Sequence, residues 1–276
     1  MTELLPSTHA PHPLASLSAF AEKRLRIPRL FQTTATRRPV ALSPAFEAVL
    51  KQLVGVPRET ALLGVCEDGL PVLLDLNDPA PGSLLVCADD FDLRMGVLRT
   101  LLQSAMALNS PRHVQFLVLS ARPQEWQDWL PENESRHCLG VEEIREEGAA
   151  RWLLKLSTWA DQRRTLGKDG PSVLVLIDDL SAATRLEYEA RVNFDWLVRE
   201  GPAVKIWPVA SAAAESLPGL GRWARLFQSA ILGAALDAEV YRESFQLDEE
   251  ELALFTDAER MAVRIQNQWL KFRPLA

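Results

Sequence analysis

The chain has 276 residues, 47% hydrophobic and 24% charged, which excludes a wholly disordered chain, a collagen-like repeat and a disulfide-dense scaffold. A net charge of −7 argues against non-specific nucleic-acid binding over the whole surface. The length corresponds to one or two domains. Three cysteines (Cys66, Cys87 and Cys138) form no CxxC pair, the pattern of reduced thiols in a cytoplasmic protein without a zinc site. No apolar run reaches the ~18 residues of a membrane span, and no basic-then-apolar leader pattern opens the chain.

Charge is unevenly placed. Residues 1–46 carry Lys23, Arg24, Arg26, Arg29, Arg37 and Arg38 against Glu3 and Glu22, a local +4 that leaves −11 for the rest. Such a basic arm suits an acidic partner or DNA, or folds back on the acidic body. Residues 1–13 hold three prolines and read as a loose terminus. A short amphipathic helix is predicted over Leu14–Arg26. Ser43–Pro44 starts another over 44–54, with serine as N-cap and proline in the first turn.

From residue 60 the pattern becomes regular. Ala61–Val65 and Val72–Leu76 are predicted strands around the turn at Glu67–Gly69. Ser83–Ala88, Val114–Ser120, Ser172–Ile177, Val204–Ala210 and Gln228–Gly233 are short apolar strands. Pro208 is expected to weaken the fourth of these or to put it near an edge. Met95–Leu108, Gly148–Leu166 and Leu186–Arg199 have helical periodicity. The chain ends in a predicted strand over Met261–Phe272. Buried strands alternating with helices imply an α/β domain, a mainly parallel sheet covered on both faces.

In such a sheet, ligands bind at the carboxyl ends of the strands. The turn after SLLVCA reads Ala88-Asp89-Asp90-Phe91-Asp92-Leu93-Arg94-Met95. A phosphate loop there would read GxxxxGK[ST], with glycines freeing main-chain N–H groups, lysine reaching phosphate and a hydroxyl holding magnesium. Ala88 and Leu93 stand at the glycine positions, Arg94 at the lysine and Met95 at the hydroxyl. Each carboxylate about 4 Å from a phosphate charge would oppose binding by about 1 kcal/mol in water and more at lower dielectric. The simpler role for Asp89, Asp90 and Asp92 is to cap the following helix in place of nucleotide. The strand SVLVLI runs into Asp178-Asp179, where a magnesium-holding aspartate and a water-activating glutamate would stand. Asp178 fits the first role; Asp179 is one methylene short for the second. Trp126 and Trp129, in the polar stretch QEWQDWLPEN, are candidate interface anchors or core residues. Trp152, Trp159, Trp196 and Trp207 read as core, and Cys87 as a buried, inert thiol.

At this point the sequence resembles the FtsK/SpoIIIE/HerA class of RecA-like motor domains, and especially the degenerate motor domains of type VII secretion ATPases such as EccC and EssC. The pieces occur in order: GLPVLLDLNDPAPGSLLV before the nucleotide loop, VLRTLLQSAMALNSPRHVQFLVLSARP after it, GPSVLVLIDDL at the Walker B strand, then FDWLVREGPAVKIWPVASA and LFQSAILGAALDAEVYRESF. The resemblance implies a RecA-like P-loop NTPase core over 58–276 behind an N-terminal extension over 1–57. It also implies assembly with copies of itself or with an active motor subunit. Departures fall on the hydrolytic positions: the decayed loop, Asp179 for glutamate, Ser211 and alanines for a polar γ-phosphate sensor, and Ser120 where the family often has aspartate. Loss of one charge-stabilising group commonly costs about a hundredfold in rate. The expectation is therefore a pseudo-ATPase with a structural or regulatory role, without cofactor or metal. The alternatives are an ATP- and magnesium-dependent DNA translocase with an unorthodox loop, and a non-motor binding module on the same fold. Arg185, Arg191, Arg222 and Arg225 are candidates to reach a neighbouring subunit's site.

Overall fold

The computed structural model describes residues 43–53, 55–130, 136–167, 169–265 and 268–276. The predicted helix over Leu14–Arg26 and the basic residues Arg24, Arg26 and Arg29 lie outside them.

Helix α1 (Pro44–Gln52) begins where predicted: Ser43 Oγ accepts from the Phe46 N–H at 3.2 Å and proline opens the helix. Strands β1 (Thr60–Val65) and β2 (Pro71–Asp75) form an antiparallel hairpin. The chain continues through β3 (Leu84–Cys87), α2 (Phe91–Leu108), β4 (Val114–Ser120), α3 (Pro123–Trp129), β5 (Cys138–Glu143) and α4 (Glu147–Leu166). There follow β6 (Ser172–Asp178), α5 (Leu180–Ala183), α6 (Tyr188–Glu200), β7 (Ile206–Ala212), α7 (Leu217–Leu220) and β8 (Ser229–Leu232). Last come α8 (Glu239–Phe245), α9 (Glu249–Leu252), β9 (Met261–Ile265) and β10 (Gln268–Phe272).

Eight strands form one sheet in the order β10-β9-β8-β3-β7-β6-β4-β5. From β8 to β5 all pairs are parallel, and β9 and β10 close the other side antiparallel. The sheet thus has the mainly parallel architecture expected of the sequence. Alternation sorts its side chains into two layers. Leu85, Cys87, Leu117, Leu119, Val175 and Ile177 meet α4 and α6 on one face. Leu84, Val86, Phe116, Val118, Leu174 and Leu176 meet α2 on the other.

Helix α2 is enclosed further, because the β1–β2 hairpin lies across its outer side. The Leu62 N–H donates to Ser104 Oγ at 2.7 Å. Twelve of its 18 residues are consequently buried, and it starts four residues before the predicted Met95. Its outer side meets protein rather than water, so amphipathic periodicity underestimates its extent.

Pro208 is not at an edge, since β7 lies between β3 and β6 in the middle of the sheet. The Val173 N–H donates to Lys205 O at 2.9 Å, so alternate residues direct the main chain of Pro208 towards β3. Pairing with β3 starts at Leu84↔Val209, one residue further on. The missing N–H therefore precedes the ladder. The terminal strand is a hairpin rather than one strand, with Phe272 opposite Met261 and Gln268 opposite Ile265. Gly64 lets β1 pass against the main chain after β10, because a Cβ there would overlap the Arg273 carbonyl and the Phe272 ring.

Candidate functional site

The carboxyl ends of β3, β6, β7 and β4 converge, and the loop from β3 into α2 lies among them. Ala88 is fully buried at the start of that loop. The Asp89 N–H donates to Ala234 O at 3.1 Å. Its carboxyl group accepts from the Glu215 N–H at 3.1 Å and the Leu236 N–H at 2.7 Å. Asp89 thus stitches this loop to those after β7 and β8, rather than capping the helix as the sequence reading expected. Asp90 is the N-cap, accepting from the Leu93 N–H at 2.9 Å, and Asp92 is exposed in the first helical turn.

Arg94 turns inward. It is only 7% exposed, and its Nη1 donates to the main-chain carbonyls of Ala88 and Asp89, the latter at 3.1 Å. In a phosphate cradle, cations and main-chain N–H groups face the anion. Here the guanidinium instead satisfies the loop's own carbonyls. Met95 is buried in the layer beneath the sheet. Phe91 lies under two cations, with the Arg94 guanidinium 5.7 Å and that of Arg122 4.2 Å from its ring centroid.

Asp178 ends β6 and is 3% exposed. Its Oδ2 accepts from Ser120 Oγ at 3.2 Å and from the Trp126 indole N–H at 3.0 Å, and its Oδ1 from Ser211 Oγ at 3.1 Å. Ser120 arrives through the β4–β6 register, which sets it opposite Asp178. Ser211 comes from β7. Trp126 comes from α3, a helix in the stretch that reads as a polar loop. The two serines that depart from the family pattern therefore converge on the candidate magnesium aspartate. Three neutral donors serve both its oxygens, the arrangement that makes a buried polar group tolerable. Asp179, joined to Asp178 by a cis peptide bond, caps α5 by accepting from the Ser181 N–H at 2.7 Å.

Trp126 is therefore a core residue, 1% exposed, and not an interface anchor. Trp129 is half-buried, edge-on to Trp126 at 5.7 Å, with the Arg99 guanidinium over its ring. Trp207 is fully buried, while Trp152, Trp159 and Trp196 are partly buried against the α4–α6 layer. Beneath the loop, the Tyr241 hydroxyl donates to Cys87 O and Gly233 O, both at 3.1 Å. Burial pushes the Cys87 thiol and the Tyr241 hydroxyl far above their ordinary ranges, so both stay protonated. Arg185, Arg222 and Arg225 are exposed and Arg191 is half-buried. Among the described residues no group of three His, Cys, Asp or Glu side chains is placed to hold a metal ion, and no helix is long and apolar enough to cross a membrane.

The sequence matches no protein-family model, and no curated protein matches it in sequence. Solved structures do resemble it. The cytoplasmic domain of the type VII secretion ATPase EccC from Thermomonospora curvata aligns with a TM-score of 0.57 at 15% identity, covering 80% of this chain and 29% of that one. EssC, ATPases 2 and 3, from Geobacillus thermodenitrificans aligns with a TM-score of 0.59 at 12% identity, covering 81% and 46%. The pCW3 conjugation coupling protein TcpA, in a monomer form with ATPγS, aligns with a TM-score of 0.57 at 12% identity, covering 80% and 67%. The chain spans less than half the length of the EccC and EssC structures. It has the fold of the FtsK/HerA-type motor ATPase domains.

Proposed function

We propose that this chain is a motor-type domain that does not turn over ATP and acts as a structural or regulatory subunit. It packs against copies of itself or an active motor in a secretion or DNA-translocation assembly. The observation that carries this reading is the inward Arg94, which spends its guanidinium on the Ala88 and Asp89 carbonyls. Two further features support it: Asp89 engages main-chain N–H groups of neighbouring loops, and both Asp178 oxygens are engaged by neutral donors. A nucleotide would have to displace these bonds and then find neither the lysine, the magnesium-binding hydroxyl nor the activating glutamate. The assembly half of the reading is supported by the neighbours, described as a type VII secretion ATPase and a conjugation coupling protein.

The test is calorimetric titration of Mg-ATP and Mg-ADP into the purified protein, paired with phosphate release with and without duplex DNA. The expected result is no heat at millimolar nucleotide, which means binding no stronger than about −4 kcal/mol, and no release above blank. Micromolar binding that is lost in Asp178→Asn overturns the proposal. Size-exclusion chromatography with light scattering tests the assembly half, against which a strict monomer that retains no partner counts.

A further inference from the structure

We infer that the outer edge of β10 is a docking site for an acidic, extended segment of a partner protein, which adds to the sheet as a further strand. The inference stands whether or not the nucleotide loop is silent.

Main-chain direction is the first ground. The Arg273 N–H donates to Val65 O and the Val65 N–H to Arg273 O, both at 2.9 Å. The polar groups of Arg273 therefore point away from β9. Residues two apart in a strand share a direction, so Lys271 and Trp269 also aim N–H and C=O out of the sheet. Val65↔Arg273 is an isolated bridge. Directly after it the β1–β2 hairpin turns, with the Gly69 N–H on Cys66 O at 3.0 Å, and the hairpin leaves the line of β10. A cavity of about 490 Å³, lined by Cys66, Glu67, Lys271 and Arg273 among others, opens beside this bridge.

Charge is the second ground. Arg260, Lys271 and Arg273 line this cavity against a single acid, Glu67. Arg260 is paired with Glu67 and Asp257, and Arg273 with Glu259. Lys271 is half-buried and has no acidic partner among the described residues. An acidic side chain on an added strand would supply one. Edge lysines also discourage self-pairing of sheet edges. Open main-chain groups and the apolar Val65, Phe272 and Leu275 suit an extended peptide better than a phosphate backbone.

The test uses the full chain and a fluorescein-labelled probe, Val-Glu-Val-Glu-Val-Glu, followed by fluorescence anisotropy. The expected result is saturable micromolar binding, weakened at least tenfold by Lys271→Glu, and no binding of the probe with lysine for glutamate. A probe N-methylated at alternate residues loses at least tenfold on the unaltered protein, a readout that does not depend on any variant folding. Failure of the acidic probe to bind at millimolar concentration overturns the inference. Equal binding by the N-methylated probe also overturns it, since charge alone would then be responsible. Short duplex DNA is run in parallel; Lys271-dependent binding of DNA without peptide binding assigns the cations to phosphate and sinks the proposal.

Discussion

The indole N–H of Trp126 donates to the Asp178 carboxyl group over 3.0 Å, and both residues are buried. This bond pins α3 across the carboxyl end of β6. Trp126→Phe withdraws one of the three donors on Asp178 and also removes part of a buried ring. The expected loss is about 1–3 kcal/mol in urea unfolding. A double-mutant cycle with Asp178→Asn should show a coupling of about 0.5–3 kcal/mol. Additive effects would mean that the bond holds nothing.

Arg94 makes a second such attachment. Arg94→Met fills the same space yet leaves the Ala88 and Asp89 carbonyls without their donor. The expected destabilisation is again about 1–3 kcal/mol, since buried unsatisfied carbonyls carry that cost. Nucleotide titration should remain silent in this variant. An unchanged unfolding midpoint would show that Arg94 is not spent on the loop.

Gly64 sets the approach of the β1–β2 hairpin to the chain after β10. Gly64→Ala forces overlap with the Arg273 carbonyl and the Phe272 ring. Overpacking of this kind costs about 1–3 kcal/mol. Amide exchange at Val65 and Arg273 should accelerate before that of β6, which lies in the middle of the sheet. Equal protection at both places would contradict the close approach.

Alkaline pH should weaken the fold. Burial raises the Cys138 thiol from 9.0 to about 11, and it raises Cys87 and Tyr241 further. Between pH 9 and 11 the unfolded chain has lost the Cys138 proton that the folded chain keeps, so ν_U is below ν_N and stability falls as pH rises. The stabilisation is complete below about pH 9 and is lost through pH 11, at about 2–3 kcal/mol from Cys138 alone. Urea midpoints at pH 8 and pH 10.5 check the sign. A midpoint that rises with pH would refute it.

Several elements could be read directly from the residues. Val114–Ser120 is a strand with the predicted ends, because an unbroken apolar run between polar turns has no other way to be buried. Ser43–Pro44 marks the start of α1 because cap and proline act within one turn. β5 and α3 were not legible. β5 is half-buried throughout and carries no apolar run, its one strand partner among the described residues being β4. α3 reads as polar because a single side chain, Trp126, is buried from it.

What the sequence by itself determined was the order of buried strands and helices, hence the parallel sheet and the place of the candidate loop. It also determined that this loop lacks glycines, lysine and hydroxyl, since these are residue identities. Tertiary structure alone decided what the replacements do. Ser120, Trp126, Asp178 and Ser211 lie 91 positions apart at their extremes, and only the β4–β6–β7 order brings them within hydrogen-bond reach. The same holds for Asp89, whose partners Glu215 and Leu236 come from loops after β7 and β8. A hydrogen bond acts over about 3 Å, and sequence separation carries no information on that scale until the sheet has fixed which strands are neighbours.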